Sequence, residues 1–103
     1  MPQILRTYVR MMSEHEVATA SDPVEARRLI AAGFTPDIIF SDWEMPRMNG
    51  GEFCEVLRLE GNSTPFYVIS GQLRDHAAVG ATGSLLKPFA QEELEKILEL
   101  HLR

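Results

Sequence analysis

The apolar positions of this chain alternate between two periods. Leu5, Tyr8, Val9 and Met12 recur at i, i+3, i+4 and i+7, one face of a first helix. Residues 16–20, from Glu16 to Ala20, then form a short run of strand type. Asp22-Pro23 marks a helix start: a carboxylate that can cap free amides, then a proline whose fixed φ suits the first helical position. Ala26, Leu29 and Ile30 supply that helix's buried stripe, and Gly33 its stop. Residues 37–41 are a nearly continuous apolar strand, expected to be buried on both faces. A loop with Pro46 and Asn49-Gly50-Gly51 follows, and Phe53, Val56 and Leu57 mark a third helix. Residues 66–69 are a second strand of the fully buried kind. Residues 72–79 make at best a short, weak helix. Residues 84–86 are another strand, which Lys87-Pro88 ends. A last helix spans residues 91–101, with Leu94, Ile97, Leu98 and His101 on one face.

Strands that alternate with helices in this way predict an α/β fold, a parallel sheet with helices on both faces. Chemistry in such sheets sits beyond the C-terminal ends of the strands. Asp42, Ser70 and Lys87 all fall at such ends. A carboxylate, a hydroxyl and an ammonium on neighbouring strand ends suit phosphoryl transfer. The carboxylate can act as nucleophile, while the other two hold the phosphoryl oxygens and balance their charge. A divalent cation would bridge carboxylate and phosphoryl oxygens.

Composition narrows the partners. The 103 residues suffice for one domain, residues 1–103, with 45% hydrophobic and 24% charged positions. The net charge is -5, and ten scattered Lys and Arg build no basic face, which argues against nucleic acid. No apolar run approaches a membrane span, and no signal-peptide layout opens the chain. Cys54 is the single cysteine, so no internal disulfide forms, which suits a reducing cytoplasm. Its helical spacing makes it a small buried hydrophobe. His15, His76 and His101 have no metal-ligand spacing and are expected to be structural or surface residues. Glu92, Glu93 and Glu95 are most simply a solvated face near a favourable helix end.

Asp37-Ile38-Ile39-Phe40-Ser41-Asp42-Trp43-Glu44-Met45-Pro46-Arg47-Met48-Asn49-Gly50 resembles the phosphorylation-site segment of response regulator receiver domains, the CheY-like (flavodoxin-like) fold. Ser70-Gly71 resembles the hydroxyl residue and small residue of that family. Leu85-Leu86-Lys87-Pro88-Phe89 resembles the lysine-proline segment that closes the site. The resemblance implies that Asp42 forms an acyl phosphate and that Ser70 and Lys87 contact the phosphoryl group. It also implies Mg2+ as cofactor, held by Asp42 and the backbone carbonyl of Glu44, and a cis Lys87-Pro88 bond. The donor would be a phosphohistidine on a sensor histidine kinase or histidine phosphotransfer protein, and output would run through a downstream protein target. The chain would be a phosphoacceptor rather than an enzyme.

Three features depart from the family pattern. Residues 1–6 already have the pattern of the first helix, so the usual first strand and its two adjacent acidic residues, which hold the magnesium, are not in the sequence. That strand is central in a sheet of order 2-1-3-4-5. Without it, the strand of residues 37–41 would expose one edge, to be met by direct pairing with residues 16–20, by exchange of elements in a homodimer, or by poor folding. Magnesium binding would be weakened or lost, and magnesium-dependent phosphorylation weak or absent. Next, residues 72–79 leave room for only about two helical turns, where the family has a longer helix. Finally, Ser84 stands where an aromatic residue normally changes rotamer with the phosphorylation state.

Glu44 and Gln72, each two residues beyond a site residue, either tune the site or are ordinary loop groups; Trp43 reads as packing near the site. The leading expectation is a single-domain receiver in a phosphorelay. The alternative is a pseudo-receiver, the same fold kept as a phosphorylation-independent interaction module. A phosphohydrolase of the haloacid-dehalogenase type fits less well, because Asp42-Trp43-Glu44 lacks the second aspartate of those enzymes.

Overall fold

The computed structural model describes residues 17–101. The helix expected on Leu5, Tyr8, Val9 and Met12 lies outside them, as does Glu16. Within them, strands β1 (Val17–Ala20), β2 (Ile38–Asp42), β3 (Phe66–Ser70) and β4 (Gly83–Leu86) form a parallel sheet of order β1-β2-β3-β4. Helix α1 (Pro23–Ala31) joins β1 to β2, and α2 (Gly50–Leu59) joins β2 to β3. A single 3-10 turn (Ala77–Val79) precedes β4, and α3 (Gln91–His101) follows it.

The edge of β2 expected to be exposed is therefore paired: Val17 stands opposite Ile38 and Ala20 opposite Ser41. Direct pairing, one of the three ways to satisfy that edge, is the one adopted. Because the strands advance in one direction and such crossovers share one hand, their connections fall on one face. Ala26 and Ile30 of α1, Phe53, Cys54 and Leu57 of α2 and Val79 of the 3-10 turn accordingly pack with Ile39, Phe66 and Val68. Helix α3 turns back over the other face, where Leu94 and Leu98 pack against Ile38, Phe40, Tyr67, Ile69 and Leu85.

The split follows the two-residue period of a strand. Ile38 and Phe40 go to one layer and Ile39 to the other; Tyr67 and Ile69 oppose Phe66 and Val68. β2 and β3 are thus buried on both sides, as their unbroken apolar runs demand. Each large side chain so buried is worth about 1.5–3 kcal/mol. Burial pushes the Cys54 thiol above its ordinary pKa, with Arg58 working against the shift, and it pushes the Tyr67 phenol up as well. Tyr67 meets His101 from α3, its hydroxyl 2.7 Å from Nε2, which gives that histidine a structural role.

The helix boundaries have local causes. Asp22 is extended and its Oδ1 accepts the amide of Val24 at 2.9 Å, with Pro23 next. Gly33 ends the helix region with φ 106°, a conformation that side chains with a Cβ rarely adopt. The stripe expected on α1 needs correction. Ala26 and Ile30 are only partly covered, and Leu29 is 46% exposed. An apolar gap of about 230 Å³ lined by Ala26, Leu29, Ile30, Phe34 and Phe53 lies beside them, so this helix is packed more loosely than α2 or α3.

Candidate functional site

Register places the three candidate residues. Asp42 is the last residue of β2 and pairs with Ile69; Ser70 is the last of β3 and pairs with Leu86 of β4. The ladder continues one step past the strands. The amide of Trp43 donates to the Ile69 carbonyl at 2.8 Å, and that of Lys87 donates to the Ser70 carbonyl at 2.7 Å. Asp42, Ser70 and Lys87 thereby meet in one cleft of about 340 Å³, together with Glu44, Ile69 and Gly71.

Within the cleft, the Lys87 ammonium lies 3.5 Å from Asp42 Oδ1. The Asp42 side chain is 18% exposed and that of Lys87 45% exposed, so a small group can reach the carboxylate. Ser70 Oγ accepts two hydrogen bonds, from the Gln72 amide and from Arg74 Nε, both at 3.1 Å. A hydroxyl has two acceptor sites and one donor, so its proton remains available to an anion in the cleft. The Lys87-Pro88 peptide is cis. The cleft therefore brings together a side-chain carboxylate, a hydroxyl donor and an ammonium around one anion-sized space.

The loop after Asp42 is drawn tight. The Gly50 amide donates to the Trp43 carbonyl at 2.7 Å, and a Cβ on Gly50 would stand 2.5 Å from the Asp42 carbonyl oxygen. Only glycine permits that approach. Asn49 begins α2 with a reciprocal cap: its side chain accepts the Glu52 amide at 2.8 Å, and its own amide donates to Glu52 Oε1 at 2.9 Å. Ser41 Oγ turns to the Asp42 carbonyl at 3.1 Å.

On the other side of the cleft, the short, weak helix expected at residues 72–79 is reduced to a single turn, the 3-10 turn of Ala77–Val79. Its start is held by Asp75 Oδ1 on the Ala78 amide at 3.3 Å, and Gly80 ends it with φ 80°. Ser84 is exposed on β4. Gln72 contributes its amide to Ser70, while its side chain is exposed. Arg74 was not legible from the sequence as a site residue. It reaches Ser70 and also lies over Trp43, its Cζ 4.6 Å from the ring centroid. Its position four residues past Ser70, in a stretch without regular period, gave no signal.

A hard cation such as Mg2+ is suited by oxygen donors and one or two carboxylates, and it keeps several waters. Asp42 and Glu44 line the cleft and match that donor type. Among the described residues, no group of three His, Cys, Asp or Glu could hold a metal. No helix among them is long and apolar enough to cross a membrane.

Known proteins share this fold. The family model described as the response regulator receiver domain matches residues 1–99. The curated protein Regulator of RpoS from Escherichia coli (strain K12) is 40% identical over 86 residues, which cover 79% of this chain and 25% of that protein. The chain thus spans a quarter of the length of this relative. The chemotaxis response regulator CheY4 of Vibrio cholerae is similar at 35% identity, with 93% of this chain and 90% of that chain covered and a TM-score of 0.70. The receiver domain of the sensor histidine kinase PA1611 from Pseudomonas aeruginosa PAO1, which has a magnesium ion in its active-site cleft, shares the fold. Its TM-score is 0.76 at 23% identity, over 96% of this chain and 85% of that one. With a CheY-like parallel sheet and a family match running through nearly the whole sequence, this chain belongs to the response regulator receiver domain family.

Proposed function

We propose that the chain is a phosphoacceptor, taking a phosphoryl group on Asp42 from a phosphohistidine of a sensor kinase or phosphotransfer protein. The observation that carries this reading is the convergence of Asp42, Ser70 and Lys87 on one cleft. Lys87 engages Oδ1 of Asp42, which leaves Oδ2 to attack phosphorus. The new O–P bond forms as the donor's N–P bond breaks, and the electron pair returns to the imidazole nitrogen, which takes up a proton. The Ser70 hydroxyl donates to a phosphoryl oxygen, and the Lys87 ammonium offsets charge that builds there. Mg2+, held by Asp42 and the Glu44 carbonyl, would when bound neutralise further charge between carboxylate and phosphoryl group. The product acts by altering what binds this surface, as part of a phosphorelay in the cytoplasm.

The test is labelling of the chain by acetyl phosphate with magnesium, read as added mass. We expect a minor fraction of the wild type to gain one phosphoryl group, since the acidic pair is missing, and none of Asp42→Asn. Absence of label, or equal label on both proteins, overturns the reading.

A second reading, the pseudo-receiver, is favoured by the exposed Ser84 and by the sparse metal donors among the described residues. On that reading, partner binding ignores phosphorylation. Titration with magnesium separates the two, because Trp43 adjoins Asp42 and is the only tryptophan. Quenching at micromolar to millimolar magnesium supports the phosphoacceptor.

A further inference from the structure

Five arginines fall within the described residues, and four are accounted for by structure. Arg27 pairs with Glu60, Arg28 with Glu25 and Arg47 with Asp22. Arg58 staples α2 to two loops through the carbonyls of Gly80, Asn62 and Thr64. Arg74 differs from all of them. Among the described residues it has no carboxylate partner; it meets a neutral hydroxyl at 3.1 Å and an aromatic face at 4.6 Å. One contact lines the cleft and the other adjoins it along the chain. The hydroxyl is Ser70, and the ring is Trp43, the residue after Asp42.

A guanidinium presents five donors in a planar fork suited to phosphate oxygens, and here one of them, Nε, is engaged on Ser70. A phosphoryl dianion on Asp42 that accepts the Ser70 proton would sit one hydroxyl away from this cation. A charge-assisted bond to a dianion is stronger than a surface contact with a ring face. The cation should therefore exchange the ring for the anion.

We propose that Arg74 is a second phosphoryl-binding cation of the site, one that leaves the face of Trp43 for the phosphoryl oxygens when Asp42 is modified. The inference rests on the phosphoacceptor reading of that site. It gives the unusual segment after β3 a task. Movement of Arg74, whose chain neighbour Leu73 is 86% exposed, uncovers the face of Trp43, so the change appears on a loop rather than at position 84.

The test uses the full chain and its single tryptophan as reporter. In the wild type, labelling by acetyl phosphate with magnesium shifts Trp43 emission. Arg74→Ala should label at least about tenfold more slowly, the worth of one charge-assisted hydrogen bond, and its emission should not respond to label. Arg74→Lys keeps the charge without the planar stack, so labelling recovers in part while the unlabelled emission resembles that of Arg74→Ala. A wild-type labelling rate in Arg74→Ala, or an emission change on labelling that persists in it, overturns the proposal. If the wild type takes no label, the phosphoacceptor reading fails by itself. Titration with inorganic phosphate then decides on Arg74 separately. An emission shift in the wild type that Arg74→Ala lacks upholds the arginine as an anion ligand, and no shift in the wild type, or the same shift in both, overturns it.

Discussion

The two loops that border the cleft are built on opposite plans. Residues 43–49, after β2, are pinned to the sheet and to α2 by backbone bonds, a close glycine contact and a reciprocal cap. Residues 71–82, after β3, hold one three-residue turn, and their ties to the site run through the side chains of Ser70 and Arg74. One loop fixes the position of Asp42 by main-chain geometry. The other leaves its charged group on bonds that a rival anion can break. On the proposed phosphoacceptor reading, the site must both hold a carboxylate still and respond to its modification, and needs one of each.

The strongest way to break this contrast is at Gly50. A valine there would push its Cβ into the Asp42 carbonyl, 2.5 Å away, with a second clash 3.1 Å from the Trp43 Cα. Both obstacles are backbone and cannot rotate aside. We expect Gly50→Val to destabilise the chain by about 2–3 kcal/mol, as overpacking of a close contact does. Denaturant melts followed by circular dichroism measure it. A cost under about 0.5 kcal/mol, the range of an ordinary surface change, would mean that the loop is not pinned.

Asn49 comes next. Asn49→Ala removes the oxygen that accepts the Glu52 amide and leaves the other half of the cap without its reciprocal bond. The expected loss is about 1 kcal/mol, read in the same melts. Glu52→Gln should retain most of the stability, because an amide oxygen can still accept from the Asn49 amide. If the two variants melt alike, the cap is not what starts α2.

This contrast also divides what the sequence made legible. The loop after β2 could be foreseen because its constraints are backbone constraints, and those choose residue types: Pro46, Gly50 and the Asp22-Pro23 start elsewhere are visible as letters. The buried strands were equally legible, since the runs at 37–41 and 66–69 leave no polar face. Boundaries moved by a residue, with Asp42 and Ser70 inside their strands and Gly83 opening β4. The direct pairing of β1 with β2 was one of several open outcomes, because a local pattern does not state which edge a strand finds. The burial of Leu29 was misjudged for a related reason: period gives a helix its apolar face, but how much of the sheet that face covers is a tertiary matter. Arg74 was invisible because its role depends on a bend of the loop that brings it over Trp43, and no spacing rule encodes that.

The smallest expected effect lies in the second loop. Leu73 is 86% exposed between Gln72, whose amide holds Ser70, and Arg74, whose guanidinium does. A leucine so placed adds almost nothing to the core, so Leu73→Ala should change stability by less than about 0.5 kcal/mol in either direction. The same substitution at Leu57, which is 1% exposed on α2, would cost about 2–5 kcal/mol by the usual price of a truncated core leucine. The difference between the two melts measures how far the loop after β3 stands apart from the core that supports the loop after β2. A loss at Leu73 of more than about 1 kcal/mol would mean that this segment is packed in solution. Arg74 would then be braced by its neighbour, and the two loops would share one plan after all.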